Sequence, residues 1–199
     1  MKRLRDFVVA ATRAMGPDGL DEEEAHAELG PLLRKLVATD DWLPPAFAEP
    51  DPVHYRQYLL HCDPLERFCV ASFVWGPGQK TPIHDHTVWG LIGILRGAEQ
   101  CRFFARRADG ALEPAGEERL EQGQLSTLGP QSGDIHEVAN AFPDRVSVAI
   151  HVYGANIGAV ARHVFDPATG AMKNFVSGYA AATLPNLWDR SADIRAQLP

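Results

Sequence analysis

The chain has 199 residues, of which 45% are hydrophobic and 23% charged, and this composition suits a globular domain with an apolar core. A net charge of −7 and the lack of a lysine- and arginine-rich run argue against a nucleic-acid or anionic-membrane partner. Three cysteines without CxxC spacing (Cys62, Cys69, Cys101) indicate reduced thiols rather than a disulfide framework. We find no signal peptide and no apolar run near the ~18 residues of a membrane span, and therefore expect a cytoplasmic protein.

The first part of the chain is predicted to be helical. Apolar residues recur at helical spacing at Leu4, Phe7, Val8 and Ala11. After a GPDG turn, Asp21 and Glu24 have the spacing of a capping box and predict the start of a second helical stretch. Gly30 and Pro31 are expected to divide this stretch into two short helices. The proline pair at 44–45 is predicted to end the helical part.

From about residue 55 the chain changes to short apolar segments separated by turn residues. The clearest predicted strands are 67–75, 87–95, 99–107, 123–128 and 145–154. Many short strands with regular turns are typical of a β-sandwich or barrel. We therefore predict a single domain, 1–199, with a helical lead-in (1–48), a jelly-roll-like β-barrel (about 50–166) and a C-terminal extension (167–199).

Two histidines, His84 and His86, lie two residues apart in the segment TPIHDHTVWGLIG. In an extended chain such residues point to the same face, so both rings can reach one metal ion. The alternative is a pair of solvent-facing histidines in a loop. A later segment carries a second set of spaced residues, Pro130, Gly133, His136 and Asn140.

The two segments together resemble the two-part cupin signature, which implies an all-β cupin fold and a metal site formed by His84, His86 and His136. The match has two departures. Gly90 replaces the acidic residue that usually follows the histidine pair, and the second segment has one additional residue between its proline and its glycine.

The ligand set alone does not identify the metal. Imidazole suits zinc, copper, iron and nickel. Three neutral imidazoles leave the charge of a divalent ion uncompensated, and three ligands on one face of a six-coordinate ion leave three positions open. The residues thus predict an open metal site that prefers an anionic ligand, and this arrangement suits an iron that binds an anionic substrate and O2 side by side.

Three segments, PIHDHT, GDIHEVAN and IHVYGANIGAVARHVFD, make residues 50–166 resemble the thiol dioxygenases, the cysteine dioxygenase family of cupins. The resemblance implies a mononuclear non-haem Fe(II) enzyme, with one iron per chain held by His84, His86 and His136. Such an enzyme adds both atoms of O2 to a small thiol and gives a sulfinic acid. The implied partners are the thiol and O2, with no nucleic acid and no membrane.

The resemblance also implies an outer-sphere pair, His151 and Tyr153, which alternation places on one strand face. Tyr153 would donate a hydrogen bond to oxygen or substrate, and His151 would orient it. The alternative is a core strand whose tyrosine only packs. Two positions differ from the family: its serine before the histidine is Ala149 here, and the cysteine that animal members crosslink to the tyrosine is Gly90.

Three residues bear on the substrate. Animal members bind the substrate carboxylate with an arginine, and the corresponding residue is Gln57, with Tyr55 on the same face and Arg56 pointing away. Glutamine at this position is similar to the bacterial branch that favours 3-mercaptopropionate, in which Arg162 would reach the carboxylate. The alternative for Arg162 is a surface arginine on an edge strand. We therefore favour 3-mercaptopropionate over L-cysteine.

Two other functions remain open from the sequence. One is a different metal-dependent cupin enzyme, such as an isomerase or a dioxygenase for a carbon substrate. The other is a cupin that binds a small ligand without turnover, for which the alanine at 149 is the only support.

Overall fold

The computed structural model describes residues 2–180 and 191–198. Two helices open the chain, α1 (Lys2–Ala14) and α2 (Glu22–Val37), and a short helix α3 (Ser191–Arg195) lies near its end. The capping box at the start of α2 is confirmed, because the Asp21 side chain accepts a hydrogen bond from the backbone N–H of Glu24 and the Glu24 side chain accepts one from the backbone N–H of Asp21. No helix in the described part of the chain has the length and apolar character needed to cross a membrane.

The predicted break at Gly30-Pro31 is wrong, since α2 continues through Pro31 to Val37. A proline inside a helix removes one hydrogen bond and crowds the preceding turn. Here the same helix buries Leu29 and Leu33 completely against the sheet, and this tertiary packing offsets the local penalty.

The capping box gives a first prediction. Replacing Asp21 with alanine should lower the free energy of unfolding by about 1 kcal/mol, because the amide of Glu24 loses its acceptor at the helix terminus. Urea denaturation of the purified variant measures this loss. Asp21→Ser keeps an acceptor and is the matched control; equal stability of the two variants would contradict the capping role.

In the part of the chain that the structure describes, eleven strands lie between α2 and α3: β1 (Arg56–Cys62), β2 (Cys69–Trp75), β3 (Ile83–His84), β4 (Gly90–Arg96), β5 (Ala98–Arg106), β6 (Leu112–Glu121), β7 (Leu125–Leu128), β8 (His136–Asn140), β9 (Ser147–Tyr153), β10 (Arg162–Phe165) and β11 (Met172–Phe175). One-turn 3-10 helices occupy Pro45–Phe47 and Ile157–Ala159. All strand pairs in the described residues are antiparallel.

The strands form two sheets, in the orders β1-β2-β9-β4-β7 and β11-β10-β3-β8-β5-β6. They enclose an apolar interior in the manner of a jelly roll rather than closing into one continuous barrel. Helices α1 and α2 cover the outer face of the first sheet. Strands β2, β4 and β9 are therefore buried on both faces, and this explains why they appear in the sequence as continuous apolar runs.

All five predicted strands are present, with ends that move by up to three residues. Strand β6 escaped prediction because almost all of its side chains are exposed or half-buried, so no apolar pattern marks it. The predicted extension 167–199 contains β11 and α3, and its segment 181–190 and final residue lie outside the described residues.

Candidate metal centre

The three predicted ligand histidines meet at one point between the sheets. His84 ends β3 and His136 begins β8, and the two are direct partners in the antiparallel pair. His86 lies just beyond β3, and its ring centroid is 4.7 Å from that of His84 and 4.9 Å from that of His136. One ring nitrogen from each residue lies within 4.8 Å of the others, and all three side chains are buried.

A carboxylate that the sequence analysis did not single out, Asp134, holds His86 in place. Its oxygens accept from the backbone N–H groups of His86 at 2.9 Å and of Thr87 at 2.7 Å, and one oxygen lies 2.9 Å from Nδ1 of His86. The chain turns sharply here, with Thr87 at φ 61°. Asp134 stands two residues before His136 but outside β8, and no local pattern in the sequence marks it as a partner of His86.

The Nδ1 atoms of His84 and His86 each have a hydrogen-bond partner in the protein. Nδ1 of His84 is 3.1 Å from the Pro82 carbonyl, and Nδ1 of His86 faces Asp134. Both rings therefore keep Nε2 for a ligand, in the arrangement by which outer partners fix the tautomer of a metal-binding histidine. Beside them, Asp85 accepts from the backbone N–H of His163 at 2.7 Å and ties β3 to β10.

Burial keeps the three histidines neutral. It lowers the pKa of His84 and His86 well below the usual value, with the neighbouring histidines and Arg162 adding to the effect, and it lowers the pKa of His136 to about 4. A neutral imidazole presents a lone pair, and this is the form in which histidine binds a metal. The donor type, the spacing and the protonation of this cluster all fit a divalent transition metal.

Asp134 gives a second prediction. Asp134→Ala should weaken metal binding by roughly 10- to 100-fold, because His86 loses the carboxylate that orients it. Competition with a chromophoric chelator measures the metal affinity. Asp134→Asn keeps an acceptor oxygen for Nδ1 of His86 and should lose less metal affinity. A thermal unfolding scan of both variants shows whether the loss of affinity is only a folding defect. An unchanged affinity in the alanine variant would refute this role.

The predicted outer pair is adjacent to the cluster. Nδ1 of His151 lies 2.8 Å from the Tyr153 hydroxyl, and both side chains are buried on the inner face of β9. Phe73 stacks on the His151 ring at 4.0 Å, and the Tyr153 ring lies 5.3 Å from that of His86. A Cβ at Gly90 would come within 3.0 Å of the Tyr153 ring, so glycine permits the close approach of the ring to β4.

Arg162 is buried in the same cavity, with 3% of its surface exposed. Its Nη2 donates to Ser177 Oγ at 2.8 Å, and its guanidinium lies 4.7 Å from the centre of the Phe175 ring. Nε has no hydrogen-bond partner among the described residues. Burial lowers the pKa of Arg162 from its ordinary value of 12.5, yet a guanidinium remains charged in proteins. The residue is thus a buried cation without a matching carboxylate contact in the described structure.

Of the two predicted substrate-binding residues on β1 and just before it, Tyr55 lines the histidine cavity and Gln57 does not. Tyr55 also stacks on Trp75 at 4.7 Å. Gln57 is also buried, but its amide donates to the Gly178 carbonyl at 3.0 Å, and it lines the neighbouring cavity that shares Tyr55. Eight of the eleven residues that line the small histidine cavity are aromatic or histidine: Tyr55, Phe73, Trp75, His84, His86, His136, His151 and Tyr153.

Comparison with known proteins agrees with this arrangement. Residues 34–167 match the family model described as cysteine dioxygenase type I. A curated relative, cysteine dioxygenase type 1 of Danio rerio, is 26% identical over 172 residues, which cover 84% of this chain and 81% of the relative.

Solved structures with similar folds are more distant. A protein with a double-stranded β-helix domain from Klebsiella pneumoniae has a TM-score of 0.44 and 14% identity, covering 55% of this chain and 84% of that one. A cupin superfamily protein from Desulfitobacterium hafniense has a TM-score of 0.43 and 15% identity, covering 57% of this chain and 89% of that one. The predicted all-β cupin fold with short N-terminal helices is confirmed. By its family match and its three-histidine cluster, the chain belongs to the cysteine dioxygenase type I family.

Proposed function

We propose that the protein is an Fe(II)-dependent thiol dioxygenase that uses O2 to convert a small, carboxylate-bearing thiol to its sulfinic acid. The observation that carries this proposal is a buried cluster of three neutral histidines in one cavity with the Arg162 guanidinium, whose Nε has no hydrogen-bond partner among the described residues. In the overall reaction the thiol RSH and O2 give RSO2H. The sulfur loses four electrons and O2 accepts them, so no external reductant is needed.

His84, His86 and His136 would hold one iron per chain, most simply through Nε2 of the first two. When bound, the iron supplies a site at which a thiolate and O2 can be brought together and electrons passed between them. The lining of this cavity is largely aromatic, and water would be excluded from it once a substrate binds. A thiolate would also supply the negative charge that three neutral ligands lack.

Arg162 supports a carboxylate on the substrate. A guanidinium can bind a carboxylate with two parallel hydrogen bonds, and here its Nε is the donor without a partner. The described residues that line the cavity include no aspartate or glutamate to bind an ammonium group. We therefore propose 3-mercaptopropionate, which lacks an amino group, as the preferred substrate, and L-cysteine as the second.

Tyr153 and His151 would act at the reacting end of the cavity. Burial raises the pKa of Tyr153 above its ordinary value of 10, so its hydroxyl keeps its proton at neutral pH. It can donate a hydrogen bond to oxygen or to the substrate sulfur. Tyr55 would close the opposite side of the cavity by its stack on Trp75.

Oxygen consumption tests the proposed function directly. Purified protein would be analysed for iron, reconstituted with Fe(II), and supplied with 3-mercaptopropionate or L-cysteine in an oxygen electrode. We expect one O2 consumed per sulfinate formed, with both oxygen atoms derived from labelled O2 by mass spectrometry. Iron-loaded protein that consumes no O2 with either thiol would disprove the proposal.

Gln57 gives a further prediction. Gln57→Arg should shift the ratio of kcat/KM values towards L-cysteine by roughly tenfold, because a second guanidinium next to Tyr55 could bind the carboxylate in another orientation. The two thiols are compared in the same assay. Gln57→Lys adds charge without the planar fork and is the control. An unchanged ratio would mean that Gln57 does not contact the carboxylate.

A further inference from the structure

One charged side chain at the start of α2 is buried although it is not a metal ligand. Glu22 is the first residue of the helix, and only 7% of its surface is exposed. A buried carboxylate destabilises a protein unless hydrogen bonds or a cation compensate its charge. Glu23 and Glu24, in the same helical turn, are exposed and have the usual place of acidic residues near a helix N-terminus. The burial of Glu22 therefore needs an explanation of its own.

The loop between β7 and β8 supplies this compensation. Oε2 of Glu22 accepts from the backbone N–H of Gln131 at 3.0 Å, and Oε1 accepts from that of Ser132 at 2.9 Å. Successive backbone N–H groups that point at one anion form a concave anion-binding site. Burial alone would raise the pKa of Glu22, but the hydrogen bonds from Ser132 and Gln131 outweigh it and the pKa lies below its ordinary value. Glu22 is thus a carboxylate bound by this loop.

The 129–133 loop is closed and is shaped around the carboxylate. Gly129 and Gly133 exchange two backbone hydrogen bonds, at 2.9 and 3.2 Å, which bring the two ends of the loop together. A Cβ at Gly129 would overlap the carboxyl group of Glu22. The φ of Gly129 lies outside the left-handed region, so glycine is needed there for space and not for its backbone conformation.

A second residue of α2 contacts the start of this loop. His26 follows Glu22 by about one helical turn and lies on the same face. Its Nε2 is 3.2 Å from the carbonyl oxygen of Leu128, the last residue of β7, and donates to it when Nε2 carries the ring proton. One face of α2 thus holds the chain both before and within the 129–133 loop.

The contact with Glu22 also gives a role to the additional residue in the second histidine segment. Two residues, Gln131 and Ser132, stand between Pro130 and Gly133, and they are the two whose N–H groups bind the carboxylate. Proline has no N–H, and the N–H of Gly133 donates to Gly129. With one residue fewer, the loop would offer Glu22 a single donor.

Asp134 follows the loop directly, and its carboxylate holds the ring and the backbone of His86. The chain is fixed on both sides of Asp134. On one side Gly133 is held by the closure of the loop, and on the other the carbonyl of Ile135 accepts from the N–H of Phe104 at 2.9 Å. The first of these anchors depends on the conformation of the loop, and hence on what the loop binds.

We propose that Glu22 is a positioning residue of the metal centre. By binding the N–H groups of Gln131 and Ser132, it fixes the 129–133 loop in the conformation from which Asp134 reaches His86. The N-terminal helices then belong to the metal centre and do more than cover the first sheet. The inference rests on the metal site of the proposed function, but not on thiol oxidation.

Zn(II) affinity tests this role without turnover, because Zn(II) is not redox-active. Competition with a chromophoric chelator measures the affinity. Glu22→Ala should weaken it about three- to tenfold, less than the roughly 10- to 100-fold expected for Asp134→Ala, because the outer carboxylate is displaced and not removed. Glu23→Ala is the matched control. It removes an exposed carboxylate from the same helical turn and should bind Zn(II) as tightly as the native chain.

Two combinations of variants test the route through Asp134. Glu22→Ala combined with Asp134→Ala should bind Zn(II) no more weakly than Asp134→Ala alone, since residues that act through one network do not add their effects. Gly129→Ala should cause the same loss as Glu22→Ala, because the added methyl group displaces the carboxylate. It should cause no further loss in the Glu22→Ala background.

A spectroscopic signal separates positioning from stability. In Zn(II)-loaded protein labelled with 15N-histidine, the Nδ1–H proton of His86 reports on its hydrogen bond to Asp134. We expect this resonance to move upfield in Glu22→Ala and in Gly129→Ala, and to stay in place in Glu23→Ala. A contact that only stabilises the fold predicts a lower melting temperature with an unchanged resonance and an unchanged affinity.

Unchanged Zn(II) affinity in folded Glu22→Ala, or a loss that adds fully to that of Asp134→Ala, would overturn the proposal. If Glu22→Ala does not fold, Glu22→Gln decides by the same comparisons. Its amide accepts from one N–H group but turns an NH2 group towards the other, so native affinity in this variant would contradict the role. A native protein that binds Zn(II) but oxidises no thiol when loaded with Fe(II) would reject the proposed function and leave this inference standing.

Discussion

Replacing His86 with alanine should abolish both metal retention and thiol-dependent oxygen consumption. His86 is one of the three proposed ligands, and Asp134 fixes it through the backbone and the ring. With two histidines left, the site would lose more affinity than the roughly 10- to 100-fold expected from removing the outer carboxylate. Metal content after dialysis and O2 uptake with 3-mercaptopropionate measure the two losses.

The control for this variant is another histidine inside the same fold. His61 lies on β1, is half-buried, and its Nε2 has no partner among the described residues. His61→Ala removes a less buried imidazole that lies outside the cluster, and this variant should retain its metal and its activity. If His86→Ala keeps stoichiometric metal, or if His61→Ala loses it equally, the three-histidine site is wrong.

Replacing Arg162 with methionine should lower kcat/KM for 3-mercaptopropionate by roughly 10- to 150-fold, which corresponds to the about 1.5–3 kcal/mol of a hydrogen bond to a charged group. Methionine fills a similar volume beside Phe175 without the charge. The loss should fall mainly on KM, because the carboxylate is bound equally in the ground state and in the transition state. Steady-state kinetics of oxygen uptake measure it.

Two controls separate carboxylate binding from a general disturbance of the cavity. Ethanethiol has no carboxylate, so its much weaker turnover should be the same in the native protein and in Arg162→Met. Arg162→Lys keeps the charge but not the planar fork, and should fall between the two. A parallel loss with ethanethiol would show that Arg162 supports the cavity rather than the substrate.

How well each secondary-structure element could be predicted from the sequence depends on how the element is packed. The strands β2, β4 and β9 are continuous apolar runs because helices cover one face and the second sheet covers the other. Their apolar character is a local signal, and all three were predicted. Strand β6 and the uninterrupted α2 were not, because an exposed strand carries little pattern and a proline in a helix is tolerated only where packing offsets it.

Asp134 shows the same limit within the site. Asp134 is 48 residues from His86 in sequence, and only the pairing of β3 with β8 brings them together. Gln57 is the reverse case. Its position in the sequence predicts a contact with the substrate carboxylate, but in the fold its amide donates to the Gly178 carbonyl.

The sequence by itself determined the residue types and spacings that a metal-binding cupin needs: His84, His86 and His136 in their two segments, and His151 with Tyr153 on one strand face. These follow from the period-two geometry of a strand and from motif spacing, both local properties. Tertiary structure alone decided which carboxylate orients His86 and that Arg162 is buried in the same cavity. Such contacts join residues far apart in the chain, and burial, which sets their charge and their pKa, exists only once the two sheets have packed together.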